Sequence, residues 1–209
     1  MKEKKLMENR FKKAIAEYID TKRLKKIEKV KIGIAGAGGL GSNVAFNLVR
    51  SGFCNFVIAD FDIVNYSNLN RQFFFYNQAK EKKVDALYKN LSAINPDIAV
   101  KIYDEKIEAN NIKKIFKNTD VIIEAFDKPE YKKLLIETYI NSGKLIVAAS
   151  GIAGFGNADQ IKTHKIKENF YIIGDLKTEA NKTNPPLSPK INIAAAKQAD
   201  IVLEYFLKN

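Results

Sequence analysis

The sequence predicts an α/β fold of Rossmann-like type, a mostly parallel sheet with helices on both faces and an N-terminal helical extension. Three observations lead there. Short apolar runs alternate with amphipathic segments between residues 30 and 149, the pattern of parallel strands joined by crossover helices. Gly36-Ala37-Gly38-Gly39-Leu40-Gly41 stands where the first strand should turn into the first crossover helix. Asp60 closes the second apolar run, at the distance from the glycines where an acid accepts hydrogen bonds from ribose hydroxyls.

The elements follow in order. Leu6, Phe11, Ile15, Ile19, Leu24 and Ile27 recur at helical spacing among charges, which predicts one or two amphipathic helices before residue 30. Residues 30–35 read as a strand, 40–51 as a helix ended by Gly52, and 55–59 as a second strand. A helix over 82–93 is stopped by Asn95-Pro96, and 99–103 is a strand. Then come a helix at 109–117, a strand at 121–125, a helix near 131–142 and a strand at 145–149. Beyond Gly151 the glycines at 151, 154 and 156 break regular structure, and residues 161–167 with 170–173 are expected to pair. Asn184-Pro185-Pro186-Leu187-Ser188-Pro189 is a stiff loop, and residues 191–207 form a strong helix. With no internal repeat and no linker, the chain reads as one domain, 1–209, divided into an N-terminal helical segment (1–29), a nucleotide-binding core (30–150) and a closing region (151–209).

Composition narrows the function. At 209 residues with 46% hydrophobic content the chain supports a real core. The net charge of +11 is mostly N-terminal, since residues 1–31 hold twelve Lys/Arg against five Asp/Glu. Those lysines alternate with apolar residues as on a solvated helix face, and no nucleic-acid reader motif accompanies them, so no nucleic-acid partner is expected. A single cysteine, Cys54, rules out an intrachain disulfide and a four-cysteine zinc site, and points to a reducing, cytoplasmic setting. No apolar run is long enough for a membrane span or a signal peptide.

The glycine motif supplies a tight turn and lets phosphates approach backbone amides at a positive helix end, although a turn that merely packs strand on helix has the same spelling. Asp60 is assigned the ribose, with Asp62 a solvated or loop-capping residue. Asp127 follows the apolar strand at the carboxyl end of a parallel sheet, where ligands gather; it reads as a hard oxygen ligand or as a helix cap. Phe73-Phe74-Phe75-Tyr76 reads as core or subunit interface. Cys54 reads as a small buried apolar residue, and His164, the only histidine, has no evident partner for a triad or a metal.

A dehydrogenase has no use for Asn68-Leu69-Asn70-Arg71-Gln72. That segment, with Gly36-Ala37-Gly38-Gly39-Leu40-Gly41-Ser42, Asp60-Phe61-Asp62, Lys83, Asn95-Pro96 and Asp127 in the same order, resembles the ThiF/MoeB family, bacterial relatives of ubiquitin-activating enzymes, over residues 30–207. The short length and Glu124-Ala125-Phe126-Asp127-Lys128 resemble its compact ThiF branch, associated with thiamine synthesis.

The resemblance implies ATP-dependent adenylation of the C-terminal glycine carboxylate of a ubiquitin-like sulfur carrier ending in Gly-Gly, of ThiS type, with release of pyrophosphate. It implies that Gly36, Gly38, Gly39 and Gly41 cradle phosphate, that Asp60 holds the ribose, and that Asn68, Arg71 and Lys83 contact the triphosphate. Asp127 would coordinate Mg²⁺, with Arg71, Lys83 and Asp127 forming the catalytic set, and Gly151 and Gly154 would line the groove for the carrier's tail. Lys83 has rivals in Lys80 and Lys82, and is chosen because it directly precedes Val84-Asp85-Ala86-Leu87. A homodimer is implied, with Arg10 only a candidate for the arginine that longer members lend to a neighbouring subunit. The chain departs from many relatives in having no Cys-x-x-Cys pairs and no cysteine after Gly151, which excludes their zinc site and puts a covalent carrier thioester in doubt. Open alternatives are a molybdopterin-type or other sulfur carrier, and a scaffold that binds nucleotide or carrier without chemistry.

Overall fold

The computed structural model describes residues 9–208. Seven strands form one sheet: β1 (Lys31–Ala35), β2 (Asn55–Ala59), β3 (Ala99–Tyr103), β4 (Val121–Glu124), β5 (Leu145–Ala149), β6 (Lys162–Lys167) and β7 (Phe170–Gly174). Their spatial order is β3-β2-β1-β4-β5-β7-β6. All pairings are parallel except that of β6 with β7. The helices are α1 (Arg10–Ile15), α2 (Thr21–Ile27), α3 (Gly39–Arg50), α4 (Lys83–Ile94), α5 (Ile112–Ile115), α6 (Pro129–Tyr139) and α7 (Ser188–Lys208). The fold class expected from the sequence is the one observed. Leu6, counted above in the helical pattern, lies outside the described residues.

The alternation of side chains along each strand divides the core into two layers. Ile32, Ile34, Ile123 and Val147 face one side, where they pack with Leu40, Val44 and Leu48 of α3, Val84, Leu87 and Leu91 of α4, and Ala194, Ala195 and Val202 of α7. Ile122 and Ile146 face the other, against Ile112 and Ile115 of α5 and Leu135 and Tyr139 of α6. Each Ile or Leu fully buried in this way contributes about 1.5–3 kcal/mol. The N-terminal pair of helices is capped in the usual manner, Asn9 Oδ1 accepting from the Lys12 amide and Asp20 Oδ1 from that of Arg23, and Leu24 and Ile27 of α2 dock into the first layer.

Helix α5 is shorter than expected, because residues 105–111 are held instead in a turn, where the Asn111 side chain accepts from the Glu108 amide and donates to the Lys106 carbonyl. Helix α7 begins three residues earlier than expected, because a proline fits the first turn, where its missing N–H costs nothing.

Strand order reverses about β1, which lies between β2 and β4. The carboxyl ends of β1 and β4 therefore diverge into loops on opposite faces, leaving the crevice in which α/β sheets hold ligands.

Candidate active site

The glycine loop sits at that crevice. Gly36 has φ +98°, and a Cβ there would stand 2.9 Å from the Ala125 carbonyl oxygen, so the turn out of β1 passes directly against the turn out of β4. Gly41 is more constrained: its Cβ would stand 1.8 Å from the Gly36 carbonyl oxygen. These two glycines set the approach of α3 to the sheet. No side chain caps the N terminus of α3, so its first amides and the positive end of its dipole face the crevice. A Cβ at Gly38 would meet nothing nearer than Gln72 Nε2 at 3.9 Å, leaving room for a phosphate.

Asp60 stands at the end of β2, beside this loop. Its Oδ2 accepts from the Ala37 amide at 2.6 Å and its Oδ1 from the Asp62 amide at 2.8 Å. Burial pushes the Asp60 carboxyl above its ordinary value, opposed by the charge of Lys83 and by those two amides.

Residues 65–72 form the next wall. Asn68 Oδ1 accepts from the Asn65 amide at 2.9 Å, closing a reciprocal turn with the Asn65 side chain. Asn43 Nδ2 on α3 donates to the Arg71 carbonyl at 2.8 Å and to the Gly39 carbonyl at 2.7 Å, while Ser42 Oγ accepts from the Phe73 amide at 3.0 Å. The stem of Arg71 consequently lies along Gly39, its Cγ 3.6 Å from where a Cβ would be. Its guanidinium donates through Nη1 to Asn70 Oδ1 at 2.8 Å and to the Ser67 carbonyl at 3.2 Å, an orientation set by neutral acceptors rather than by a carboxylate. Ser42 entered the sequence reading only as the last residue of the glycine motif and Asn43 not at all; a polar pair on an otherwise apolar helix face was the available signal.

Lys83 opens α4 with its side chain only 7% exposed, and its Nζ lies 2.6 Å from Asp62 Oδ2. This corrects the reading of Asp62 as merely solvated or loop-capping. The Lys83 amide also donates to the Asp62 carbonyl at 2.9 Å, and an antiparallel bridge between Ile63 and Lys82 brings the two segments together. Lys82 pairs with Asp104 at 2.5 Å and points elsewhere.

Asp127 is exposed just beyond β4, and no hydrogen bond or ion pair engages its carboxylate among the described residues. Nor do the described residues bring together three or more His, Cys, Asp or Glu side chains that could hold a metal ion. A single exposed carboxylate that none of the described residues engages is a donor Mg²⁺ can use, since that ion takes one or two protein carboxylates and completes its shell with phosphates and water.

Close by, the fully buried Glu124 pairs with Lys132, an ionic contact that the sequence reading passed over because Glu124 sits inside an apolar run. Burial raises the Glu124 carboxyl pKa, and the Lys132 ammonium opposes that.

Residues 151–156 lie on the other side of the crevice and are partly engaged. The Gly151 carbonyl accepts from the Asp175 amide at 3.0 Å, and the Gly154 amide donates to the Pro185 carbonyl at 3.0 Å. Asn70 Nδ2 reaches the Pro186 carbonyl at 3.4 Å, which links this loop to the Arg71 segment. Cys54 lies at the opposite end of the sheet, its thiol donating to the Glu28 carbonyl and its pKa raised, first by burial and then by the Glu28 charge. His164 Nε2 lies 3.0 Å from the Gly174 carbonyl within the β6–β7 pair.

A family model described as "ThiF family" matches residues 11–204. The chain belongs to the ThiF family. Among curated ThiF-type relatives, the adenylyltransferase and sulfurtransferase UBA4 of Candida glabrata is 34% identical over 133 residues, which is 63% of this chain and 30% of that protein. A probable molybdopterin-synthase adenylyltransferase of Gracilaria tenuistipitata is 29% identical over 150 residues, 70% of this chain and 42% of that protein. The chain thus spans less than half the length of these relatives. Among solved structures, the tRNA N6-threonylcarbamoyladenosine dehydratase TcdA of Escherichia coli, in complex with ATP, superposes with a TM-score of 0.81 at 18% identity, covering 95% of this chain and 93% of that one. MccB of E. coli with ATP gives 0.71 at 19%, covering 89% and 58%. Both share the ThiF-type fold described above.

Proposed function

We propose that this ThiF-family chain acts, as one adenylation unit, on ATP and the C-terminal glycine carboxylate of a ubiquitin-like sulfur carrier of ThiS type, in thiamine biosynthesis in the cytoplasm. The observation that carries this reading is the pairing of two cations, Arg71 and Lys83, with an uncapped helix N terminus and the unengaged carboxylate of Asp127 around one crevice. A carboxylate that attacks an α-phosphate brings one anion to another. Fixed positive charge must therefore meet the developing charge on the phosphoryl oxygens and the departing pyrophosphate.

In this mechanism the amides at the start of α3 and Gly38 receive the phosphates, and Asp60 accepts from the ribose. Asn68, Arg71 and Lys83 hold the triphosphate. Lys83 exchanges Asp62 for a phosphate oxygen as ATP enters, so the ammonium is never left bare in its buried place. The carrier carboxylate forms a new bond to the α-phosphorus while the bond to pyrophosphate breaks, leaving an acyl adenylate. Asp127 would hold Mg²⁺, which would supply further charge neutralisation. The carrier's Gly-Gly tail passes along Gly151 and Gly154, on the side of Gly151 away from Asp175, Leu176 and Lys177, which fill the space a Cβ would take there.

A homodimer is part of the reading. Phe74 is buried, but Phe75 and Tyr76 are 53% and 75% exposed, and Tyr66, whose ring is tilted against that of Tyr76 with centroids 5.1 Å apart, is 57% exposed. Aromatic surface of this kind favours association.

The 29% identity with a probable molybdopterin-synthase adenylyltransferase keeps a molybdopterin-type carrier as the second reading. A scaffold role accounts less well for a guanidinium that meets only neutral acceptors and a carboxylate that none of the described residues engages. The test is carrier-dependent exchange of labelled pyrophosphate into ATP, with mass detection of the carrier–AMP adduct, using ThiS-type and molybdopterin-type carriers side by side. Adduct with the ThiS-type protein alone is expected. Adduct with the molybdopterin-type protein alone selects the second reading, and none with any Gly-Gly carrier overturns both.

A further inference from the structure

Glu124 is the last residue of β4, is fully buried, and lies in register with Ala35 of β1. Its Oε1 accepts from the Phe126 amide at 2.7 Å, which pins the turn that carries Asp127. Lys132, four positions inside the start of α6, reaches Oε1 at 2.9 Å and Oε2 at 3.0 Å, and also donates to the Ala149 carbonyl at 3.2 Å. Ala149 ends β5 and is two residues before Gly151. One ion pair thus ties together the turn after β4, the turn after β5 and the start of α6. Gln198 of α7 adds a brace from the other face, donating to the Val147 carbonyl at 3.1 Å and to the Glu124 carbonyl at 3.4 Å.

Stability does not account for this arrangement. Replacing a buried ion pair by neutral groups of similar volume is often neutral or favourable, because the desolvation of two charges offsets their attraction. What the pair provides is direction: one carboxylate accepts three hydrogen bonds and one ammonium donates three, which fixes the relation between loops that main-chain pairing leaves free.

We propose that Glu124 and Lys132 are positioning residues that hold the metal-side turn of Asp127 and the tail-side loop of Gly151 in one geometry. The role rests on the adenylation reading. The pair touches neither nucleotide nor carrier; it decides whether the Asp127 carboxylate and the 151–154 backbone face the same reacting centre.

The test compares wild type with the Glu124→Gln/Lys132→Met double variant, which is neutral and close in volume, with Glu124→Gln alone, and with Lys132→Arg. Mn²⁺ binding to the protein–ATP complex is read by electron paramagnetic resonance, amide hydrogen exchange is read at Phe126 and at residues 150–151, and KM for the carrier is separated from kcat. The double variant is expected to weaken Mn²⁺ binding about tenfold and to raise the carrier KM to a similar degree. Its metal-free ATP affinity is expected to stay within about twofold of wild type, because the ligands of the nucleotide remain in place. Lys132→Arg, which keeps a cation for Glu124, is expected to retain most of the wild-type Mn²⁺ affinity and carrier KM.

A folded double variant with wild-type Mn²⁺ affinity and carrier KM overturns the proposal, as does an equal loss of metal-free ATP affinity, which marks a merely structural role. If the double variant does not fold, Glu124→Gln, which keeps an acceptor for Phe126, decides on the same readouts. Neither Mn²⁺ binding nor hydrogen exchange needs a carrier, so an absence of pyrophosphate exchange in the wild type refutes the adenylation reading and still leaves this pair tested.

Discussion

Changing Gly41 to alanine tests the geometry of the crevice at its tightest point. The added methyl carbon would lie 1.8 Å from the Gly36 carbonyl oxygen and 3.0 Å from Ile34 Cγ2. An ordinary carbon–oxygen contact is about 3.2 Å or more, so α3 must retreat by roughly 1.4 Å, and the obstacle is backbone that cannot rotate away. Overpacking of this kind costs up to about 3 kcal/mol, which for a domain of this size lowers the melting temperature by roughly 6–12 °C. A displacement beyond 1 Å at the phosphate loop also lowers the rate of the chemical step by about a hundredfold. Gly38→Ala is the matched control. Its methyl meets nothing closer than 3.9 Å, so thermal stability stays within about 1 kcal/mol of wild type. ATP affinity in that variant still falls, because the methyl occupies the space through which a phosphate would approach. Thermal unfolding and calorimetric titration with ATP separate the two. If Gly41→Ala melts with wild type and binds ATP normally, the close approach of α3 to β1 is wrong as described. If Gly38→Ala binds ATP normally, the phosphates do not rest on this helix end.

Arg71→Ala removes a side chain that contacts only neutral acceptors, so folding stability should change little, while pyrophosphate exchange should fall by about a hundredfold; wild-type exchange in the variant would remove Arg71 from the reacting centre. For Asp60 the sign follows from its burial: its pKa is raised above the ordinary value near 3.8, so the stability it contributes is complete below that pH and is lost as pH rises through the folded value. Urea unfolding should therefore show wild type gaining on Asp60→Asn as the solution is acidified from neutrality, and the opposite slope would show that Lys83 outweighs burial. Cys54 should react with a maleimide more slowly than a cysteine in a short peptide, because burial and Glu28 raise its pKa; Cys54→Ser should leave adenylation unchanged, and loss of activity there would revive a covalent role.

Much of the fold was legible because its signals are local. β2, β3 and β5 fall on the expected residues, β2 and β5 as mostly apolar runs and β3 as a β-branched and aromatic run around Lys101, each bounded by glycine, proline, asparagine or a charge. Residues 109–117 misled because their helical periodicity competes with side-chain hydrogen bonds of Asn111, which win outside the protection of a packed helix. The places of the glycine loop and Asp60 at the ends of β1 and β2 were readable from residue type and spacing, whereas Arg71 was picked out only by the resemblance to the ThiF/MoeB segment. The partnership of Lys83 with Asp62 was not, since it depends on a bridge between segments about twenty positions apart. Glu124, Lys132 and Gln198 were harder still: each is unremarkable within its own element, and their meeting depends on how β4, β5, α6 and α7 are stacked.

Helix α7 has a consequence for how the protein is made. Ile191 packs within 3.3 Å of the position a Cβ would take at Gly39, and Gln198 spans the carbonyls of Glu124, at the end of β4, and Val147, in the middle of β5. The phosphate loop thus leaves the ribosome well before the segment that buttresses it. A nascent chain lacking residues 188–208 would carry every group assigned to ATP and still lack a rigid seat for them, so occupancy by nucleotide has to wait for the synthesis of α7.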